Sequence, residues 1–220
     1  MTRLRARKYA LLEGTHLELN PADLAGGDWL RNFPGDGPLT VEIGVGKDPH
    51  LIEIAARNPA GRFVGLEYSR KKADMFLAKG LARGVENLRL VWADAFRALE
   101  PMFAEASVRK FFVLFPDPWP KKRHAKKRMV QPAMVATLTR KLEPDGILEL
   151  RTDSALYAQQ MLAVLEATPE LTNELGPGML SLAPRDPTEH VETTFERKFR
   201  ELGQPIHYFY YRRLRTRTPR

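Results

Sequence analysis

Five carboxylates occupy equivalent places in this sequence, because each stands at or just beyond the end of a short apolar segment. They are Glu42, Glu67, Asp94, Asp117 and Asp153. A single acid after a strand is ordinary capping chemistry. Five acids along one edge of a sheet instead indicate a ligand that carries hydroxyl groups, amines or a positive charge. The sequence therefore predicts a binding site at the carboxyl ends of its strands.

A glycine turn follows the first of these acids. Gly44 and Gly46 let the backbone approach a ligand closely, and Glu67 lies 23 residues after Gly44. At about this spacing an acidic residue binds ribose hydroxyls in nucleotide-binding α/β proteins. The turn alone fits both a nicotinamide nucleotide and an adenosyl sulfonium. Asp94 suits an exocyclic adenine amine. The large number of acids favours a cationic ligand such as S-adenosylmethionine over a pyrophosphate.

The segment 115–128 combines a rigid turn with a basic run. Three prolines surround Asp117 and Trp119, and six of the eight residues from Lys121 to Arg128 are Lys or Arg. Because proline fixes φ and lacks an N–H, these prolines end the preceding strand and hold Asp117 in place. A basic run by itself most often forms a solvated face, but this one directly follows the rigid turn. It therefore indicates a polyphosphate-binding segment, in which Trp119 either stacks on a base or packs at the base of the loop.

Alternating strands and helices must position these residues. The apolar patterns predict five strands, at 39–43, 62–66, 88–92, 111–115 and 147–150. Helices are predicted after each of them, near 49–58, 71–83, 96–103, from 131 onward and at 157–165. These repeats predict the α/β class with a doubly wound, mostly parallel sheet. The aromatic stretch 206–211 predicts a further core strand.

The overall composition favours an anionic partner. The 220 residues carry a net charge of +8, with a pI near 9.8. On charge alone, nucleic acid ranks first among possible anionic partners and an anionic membrane surface second. The length fits a single domain over 1–220. We expect a basic N-terminal arm at 1–37, the catalytic fold at 38–211 and a basic tail at 212–220.

Several classes of site and location are disfavoured. The chain has no cysteine, which excludes disulfides, thiolate metal sites and a cysteine nucleophile. The histidines show no ligand spacing, so we expect no metal. No segment has the length of a membrane span or a signal peptide, and we therefore expect a cytoplasmic protein with no membrane partner. We expect it to be a monomer or a homodimer.

Taken together, the motifs closely resemble those of bacterial tRNA (guanine-N7-)-methyltransferases. The matching residues are Glu42-Ile43-Gly44-Val45-Gly46, Glu67, Asp94, the segment from Phe115 to His124, and Thr193-x-Phe195-Glu196-x-Lys198-Phe199. The resemblance runs from about residue 39 to 211, and Phe-Pro-Asp-Pro-Trp-Pro-Lys-Lys is its most specific part. It implies a seven-stranded Rossmann-like SAM-methyltransferase sheet with an antiparallel C-terminal strand. It also implies methyl transfer from S-adenosylmethionine to N7 of a guanine in tRNA, namely the variable-loop guanine at position 46.

The resemblance also implies roles for individual residues. Cofactor-binding positions would be Glu42, Gly44, Gly46, Glu67, Asp94 and Asp117, of which Asp117 would also be catalytic. Substrate-binding positions would be Lys121, Asp153, Thr193, Thr194, Phe195 and Glu196. RNA-binding positions would be Arg123, His124, Ala125, Lys126, Lys127 and Arg128. One departure concerns the first cofactor loop, where Asp48 stands in place of the usual third glycine.

Three other interpretations remain open. A methyltransferase acting on an exocyclic amine would carry two prolines between its acid and its aromatic residue, whereas Asp117 and Trp119 have one between them. A non-catalytic RNA-binding module would need only the basic run and not the row of acids. A nicotinamide-dependent oxidoreductase is disfavoured by the missing third glycine of its fingerprint.

Overall fold

The structure of the protein, a computed structural model, describes residues 15–19, 30–31 and 33–215. Most of the expected N-terminal arm and the last five residues of the expected tail therefore lie outside the described residues. The chain divides into two units, with the boundary between Met102 and Phe103. A single domain over 1–220 stays a prediction.

The first unit is a parallel α/β unit. Its strands are β1 (Glu18–Leu19), β2 (Leu39–Ile43), β3 (Arg62–Glu67) and β4 (Leu88–Trp92). Its helices are α1 (His50–Arg57), α2 (Arg70–Arg83) and α3 (Ala95–Met102). The strands pair in the order β1-β4-β3-β2, all in parallel. Parallel pairing brings the carboxyl ends of β2, β3 and β4 to one edge of the sheet.

Packing in the first unit depends on one close approach. A Cβ atom at Gly65, in the middle of β3, would lie 2.8 Å from Cγ1 of Val45 in the loop after β2. Only glycine at position 65 lets this loop pack onto β3 without displacement. Leu51 and Ile52 on α1 and Phe76 on α2 are buried in the same apolar cluster as Val45. The loop is thus part of the core of this unit.

The second unit mixes parallel and antiparallel strands. Its strands are β5 (Val108–Leu114), β6 (Leu142–Thr152), β7 (Leu171–Asn173) and β8 (His207–Arg213). Its helices are α4 (Pro132–Lys141), α5 (Ala155–Glu166), α6 (Thr194–Glu201) and a 3₁₀ helix, Lys122–Lys127. The strand order is β5-β6-β8-β7, in which β5 and β6 are parallel and β8 is antiparallel to β6 and β7.

The predicted fold class is confirmed. Alternating strands and helices form mostly parallel sheet structure, and the C-terminal strand is antiparallel as expected. The aromatic stretch is a core strand, since Tyr208 and Phe209 are fully buried. The described residues contain eight strands, whereas the apolar patterns predicted six and the resemblance implied seven. The two strands that the patterns missed, β1 and β7, have only 2 and 3 residues. None of the helices in the described ranges is long and apolar enough to cross a membrane.

Candidate active site

In the first unit, the acid of β2 is held by a histidine. Glu42 and His50 are both buried, and Nδ1 of His50 lies 2.7 Å from Oε2 of Glu42. Asp48 Oδ1 accepts a hydrogen bond of 3.1 Å from the backbone N–H of His50, the first residue of α1. The residue that replaces the usual third glycine therefore stabilises the start of the helix that carries His50. His50 was not among the residues predicted from the sequence.

The acid at the end of β3 organises the glycine turn. Glu67 is buried and accepts hydrogen bonds from the backbone N–H of Gly46 at 2.9 Å and of Ser69 at 2.8 Å. Gly44 and Gly46 have φ of +75° and +59°, a conformation that side-chain-bearing residues rarely adopt. One carboxylate thus connects the turn after β2 with the turn after β3.

The acid after β4 stands at the start of a helix. Asp94 is exposed, and its Oδ1 accepts a hydrogen bond of 2.9 Å from the backbone N–H of Phe96 in α3. In the parallel register Ile43 lies opposite Leu66, and Glu67 lies opposite Trp92. The first unit therefore brings together three of the predicted acids, Glu42, Glu67 and Asp94, at one edge of its sheet.

In the second unit, Asp117 lies exposed on the loop after β5. Phe115 and Trp119, on either side of it, have φ of +49° and +38°. Such left-handed backbone in residues other than glycine costs about 1–3 kcal/mol each and is concentrated at functional sites. The backbone N–H of Phe115 donates a 2.8 Å hydrogen bond to the carbonyl of Arg151 in β6, which fixes the start of the loop. Asp117 is therefore held on a strained turn that the surrounding contacts impose.

Asp153 follows the neighbouring parallel strand of the same unit. Leu114 at the end of β5 lies opposite Arg151 near the end of β6, so the loops that carry Asp117 and Asp153 leave the same edge of the sheet. Asp153 is half-buried and precedes Ser154, whose side chain caps α5. The structure thus groups these two predicted site residues at one edge of the second unit.

The basic segment begins directly beyond the Asp117 loop. Lys121, Arg123, Lys126 and Lys127 are exposed, and Nζ of Lys127 lies 4.9 Å from the centre of the Trp119 ring. His124 packs edge-on against Trp119, at 5.6 Å between ring centres. Trp119 is half-buried, in agreement with a packing role at the base of the loop. The cations form a solvent-facing cluster beside the loop.

Arg128, at the end of the basic segment, lies in a different environment. It is only 5% exposed, and its guanidinium donates to the backbone carbonyls of Pro118 and Trp119. Two arginines of the expected tail are also bound by acids of the second unit, Arg212 by Glu174 and Arg215 by Asp145. These three arginines are therefore already engaged within the second unit.

The segment Thr193–Glu196 forms the start of α6. The Thr193 side chain accepts from the backbone N–H of Glu196, and the Glu196 carboxylate accepts from that of Thr193, in a reciprocal capping box. Thr194 and Phe195 are exposed, while Glu196 is fully buried. Phe195 stacks on the ring of Phe115, at 5.9 Å between centres, so this segment packs against the residue that begins the Asp117 loop.

The Glu196 carboxylate is the centre of a buried polar network. It accepts hydrogen bonds from Arg151 at 2.8 Å and from the Tyr208 hydroxyl, and it lies 2.7 Å from Nε2 of His190. Arg200 donates to it as well, at 3.1 Å. Both oxygens of Glu196 lie inside this network, which links α6, the helix that carries Phe195, to β6 and β8. Substrate binding by Glu196 stays a prediction.

Acid is expected to weaken this network. Burial alone would raise the pKa of Glu196, but the hydrogen bond from His190 and the charge of Arg151 outweigh it and lower the pKa from 4.5 to about 2. A carboxyl with a lowered folded-state pKa stabilises the protein above its unfolded pKa, and this contribution disappears as the pH falls from about 4.5 through about 2. Urea unfolding across this range should show a loss of up to about 3 kcal/mol from this group.

The comparison of two variants isolates this effect. Glu196→Gln should be less stable at pH 7 and should lack this part of the pH dependence, whereas the exposed Glu170→Gln should keep it. The same pH dependence in both variants would contradict the assignment.

The described residues contain no group of three or more histidine, aspartate or glutamate side chains arranged to hold a metal ion. The acids of the first unit make hydrogen bonds with backbone N–H groups, in the case of Glu67 and Asp94, or with histidine, in the case of Glu42. Their arrangement suits an organic ligand with hydroxyl and amine groups.

Comparison with known proteins identifies the family. A family model described as putative methyltransferase matches residues 36–209. The tRNA (guanine-N(7)-)-methyltransferase of Leifsonia xyli subsp. xyli (strain CTCB07) is 40% identical over 216 residues, covering 96% of this chain and 94% of the relative. The enzyme of the same name from Alkalilimnicola ehrlichii is 41% identical over 186 residues, covering 84% of this chain and 77% of the relative.

A solved structure supports the fold. The SAM-dependent O-methyltransferase of Thermotoga maritima superimposes with a TM-score of 0.56 at 16% identity, covering 99% of this chain and 67% of that one. At this identity the likeness shows the fold alone, and it confirms the predicted Rossmann-like architecture. The family model and the relatives cover most of the chain, and so the chain belongs to the tRNA (guanine-N(7)-)-methyltransferase family.

Proposed function

We propose that this protein transfers a methyl group from S-adenosylmethionine to N7 of the variable-loop guanine of tRNA, at position 46. The names of its relatives supply the reaction and the substrate class. One structural observation carries the proposal for the site. The exposed carboxylate of Asp117 stands on a strained loop, between two residues of left-handed backbone, at the carboxyl end of β5.

The acids of the first unit fit the cofactor. Each oxygen of Glu67 accepts one backbone N–H, and since a carboxylate oxygen has two lone pairs, each can accept a ribose hydroxyl as well. A Cβ atom at Gly44 would meet no atom within 4 Å, so the turn is open on that side. We assign cofactor binding to Glu42, Gly44, Gly46, Glu67 and Asp94, with Glu42 oriented by His50. Asp117 of the second unit is the sixth residue of this assignment.

The chemistry requires little proton transfer. Guanine N7 carries a lone pair and no proton, so no strong general base is needed. When bound, S-adenosylmethionine would supply an electrophilic methyl group to N7, with its sulfur as the leaving group, so that positive charge would develop on the purine. A fixed carboxylate stabilises this developing charge, and it can also accept hydrogen bonds from guanine N1–H and the exocyclic amine. This is the catalytic role that we assign to Asp117.

The remaining predicted residues would bind the tRNA. Asp153 leaves the same sheet edge as Asp117, and Lys121 follows the Asp117 loop directly. Thr194 and Phe195 lie exposed at the start of α6, where Phe195 offers an aromatic face. The buried Glu196 and Thr193 would act by holding this helix start in place. We assign phosphate contacts to the exposed part of the basic segment, which would offset the cost of taking the guanine out of its stack.

The position of methylation tests this proposal. Borohydride reduction followed by aniline treatment cleaves RNA at 7-methylguanosine, and it can be applied to an unmodified tRNA transcript after incubation with enzyme and cofactor. We expect cleavage at position 46 alone, and no cleavage in a transcript that carries adenine there. Cleavage elsewhere in both transcripts would contradict the proposed target.

A further inference from the structure

The basic segment contains two kinds of cation. Lys121, Arg123, Lys126 and Lys127 are exposed to solvent, as phosphate-binding side chains must be. Arg128 closes the same run in sequence but is 5% exposed. A guanidinium that is buried to this extent is poorly placed to meet an RNA phosphate. The contacts that Arg128 makes within the second unit indicate a different role.

Those contacts converge on the loop that carries Asp117. Nε of Arg128 donates to the carbonyl of Pro118 at 2.7 Å, and Nη2 donates to the carbonyl of Trp119 at 3.2 Å. Pro118 and Trp119 are the two residues directly after Asp117. The planar guanidinium thus connects two successive carbonyls, a geometry that the point charge of a lysine ammonium does not reproduce.

The opposite side of the guanidinium is anchored on α5. Nη1 donates to Oε1 of Gln160, and the guanidinium carbon lies 5.2 Å from the centre of the Tyr157 ring. The same two side chains hold the chain just beyond Arg128, because the Tyr157 hydroxyl accepts from Val130 N–H at 2.9 Å and Gln160 donates to the Val130 carbonyl at 3.3 Å. Arg128 therefore joins a rigid helix to the Asp117 loop.

The conformation of the loop explains the need for such a clamp. Trp119 has φ of +38°, which an unconstrained tryptophan would leave for an ordinary backbone conformation. Two donors on consecutive carbonyls oppose that relaxation. We propose that Arg128 is a positioning residue, which holds the loop of Asp117 in its active geometry and makes no contact with RNA phosphate. The catalytic part of this inference rests on the proposed function.

Substitution of Arg128 by lysine distinguishes a phosphate ligand from a residue that holds the Asp117 loop. A phosphate contact would survive in Arg128→Lys because the charge is kept, whereas a clamp on two carbonyls would not. We expect kcat to fall by roughly 10²-fold, because small misplacements of catalytic groups cause losses of this size. The Kd for tRNA and its dependence on salt should remain within about twofold of wild type.

Lys126→Met provides the matched control from the exposed cations. It should raise the Kd for tRNA and lower the slope of log Kd against log salt by about 1. Wild-type kcat in Arg128→Lys would contradict the positioning role. A change of the salt slope in Arg128→Met equal to that in Lys126→Met would show that Arg128 is a phosphate ligand. Either result would show that the inference is wrong.

A spectroscopic measurement keeps the test independent of activity. Replacing the other two tryptophans, in a Trp29→Phe/Trp92→Phe background, makes Trp119 the only indole in the chain. Arg128→Lys should increase the quenching of Trp119 emission by acrylamide, while circular dichroism and the melting temperature show that the fold is retained. Unchanged quenching in Arg128→Lys would contradict the proposal that Arg128 holds this loop in place. A wild-type protein that makes no 7-methylguanosine would refute the proposed function but leave this measurement valid.

Discussion

Asp117→Asn is expected to lower kcat for tRNA methylation by about 10²–10³-fold, the usual loss when one preorganised electrostatic group is removed from an active site. Asparagine keeps the size of the side chain, and the backbone that holds the loop is unchanged. What is lost is the negative charge that stabilises the purine as it becomes positive. Single-turnover rates at saturating cofactor and tRNA measure this effect directly.

Binding provides the control for this variant. The Kd for tRNA should stay within about twofold of wild type, because phosphate contacts supply most of the affinity. Asp36→Asn, which changes an exposed aspartate outside the proposed site, should have wild-type kcat. If Asp117→Asn retained wild-type turnover, the catalytic role would have to move to another residue, and Asp153 would be the first candidate.

Glu67→Gln is expected to weaken binding of S-adenosylhomocysteine, the product form of the cofactor, by at least about tenfold, as loss of one charge-assisted hydrogen bond would. The effect has two sources. The charged acceptor for ribose hydroxyls is lost, and one end of the new amide points an N–H₂ group at a backbone N–H, either of Gly46 or of Ser69. Isothermal titration calorimetry measures the change without requiring turnover.

Glu53→Gln is the matched control in the same unit. Glu53 lies on α1 and forms a partly exposed ion pair with Arg83, so its replacement should leave the affinity for S-adenosylhomocysteine unchanged. Equal affinity in wild type and Glu67→Gln would remove Glu67 from the cofactor site and would question the assignment of the whole glycine turn.

The parts of the site that were predictable from sequence are those that depend on local pattern. Short apolar runs, each with an acid at or just beyond its end, define the strand ends, and parallel pairing then brings the acids to one edge within each unit. The prolines around Asp117 predicted a rigid loop, and the left-handed Phe115 and Trp119 agree with that expectation. The pattern Thr193-x-x-Glu196 is a capping-box signature, so the engagement of Glu196 in a helix cap could also have been read from the sequence.

The features that were missed depend on contacts between distant positions. Arg128 is buried because it meets Gln160, 32 residues further along the chain. Arg151, 45 residues before Glu196, completes the network around that carboxylate. His50 meets Glu42 only because the loop after β2 turns the helix α1 back onto the strand. Composition and periodicity describe none of these pairs, since burial of a charge is decided by its tertiary partners.

The identity of the methylated nucleoside tests the account most directly. Unmodified tRNA is incubated with the protein and methyl-labelled S-adenosylmethionine, digested to nucleosides and separated by chromatography. We expect label in 7-methylguanosine with wild-type protein, and at least about 10²-fold slower labelling with Asp117→Asn. Label in a nucleoside methylated on an exocyclic amine, or no label from a folded protein that binds tRNA, would contradict it.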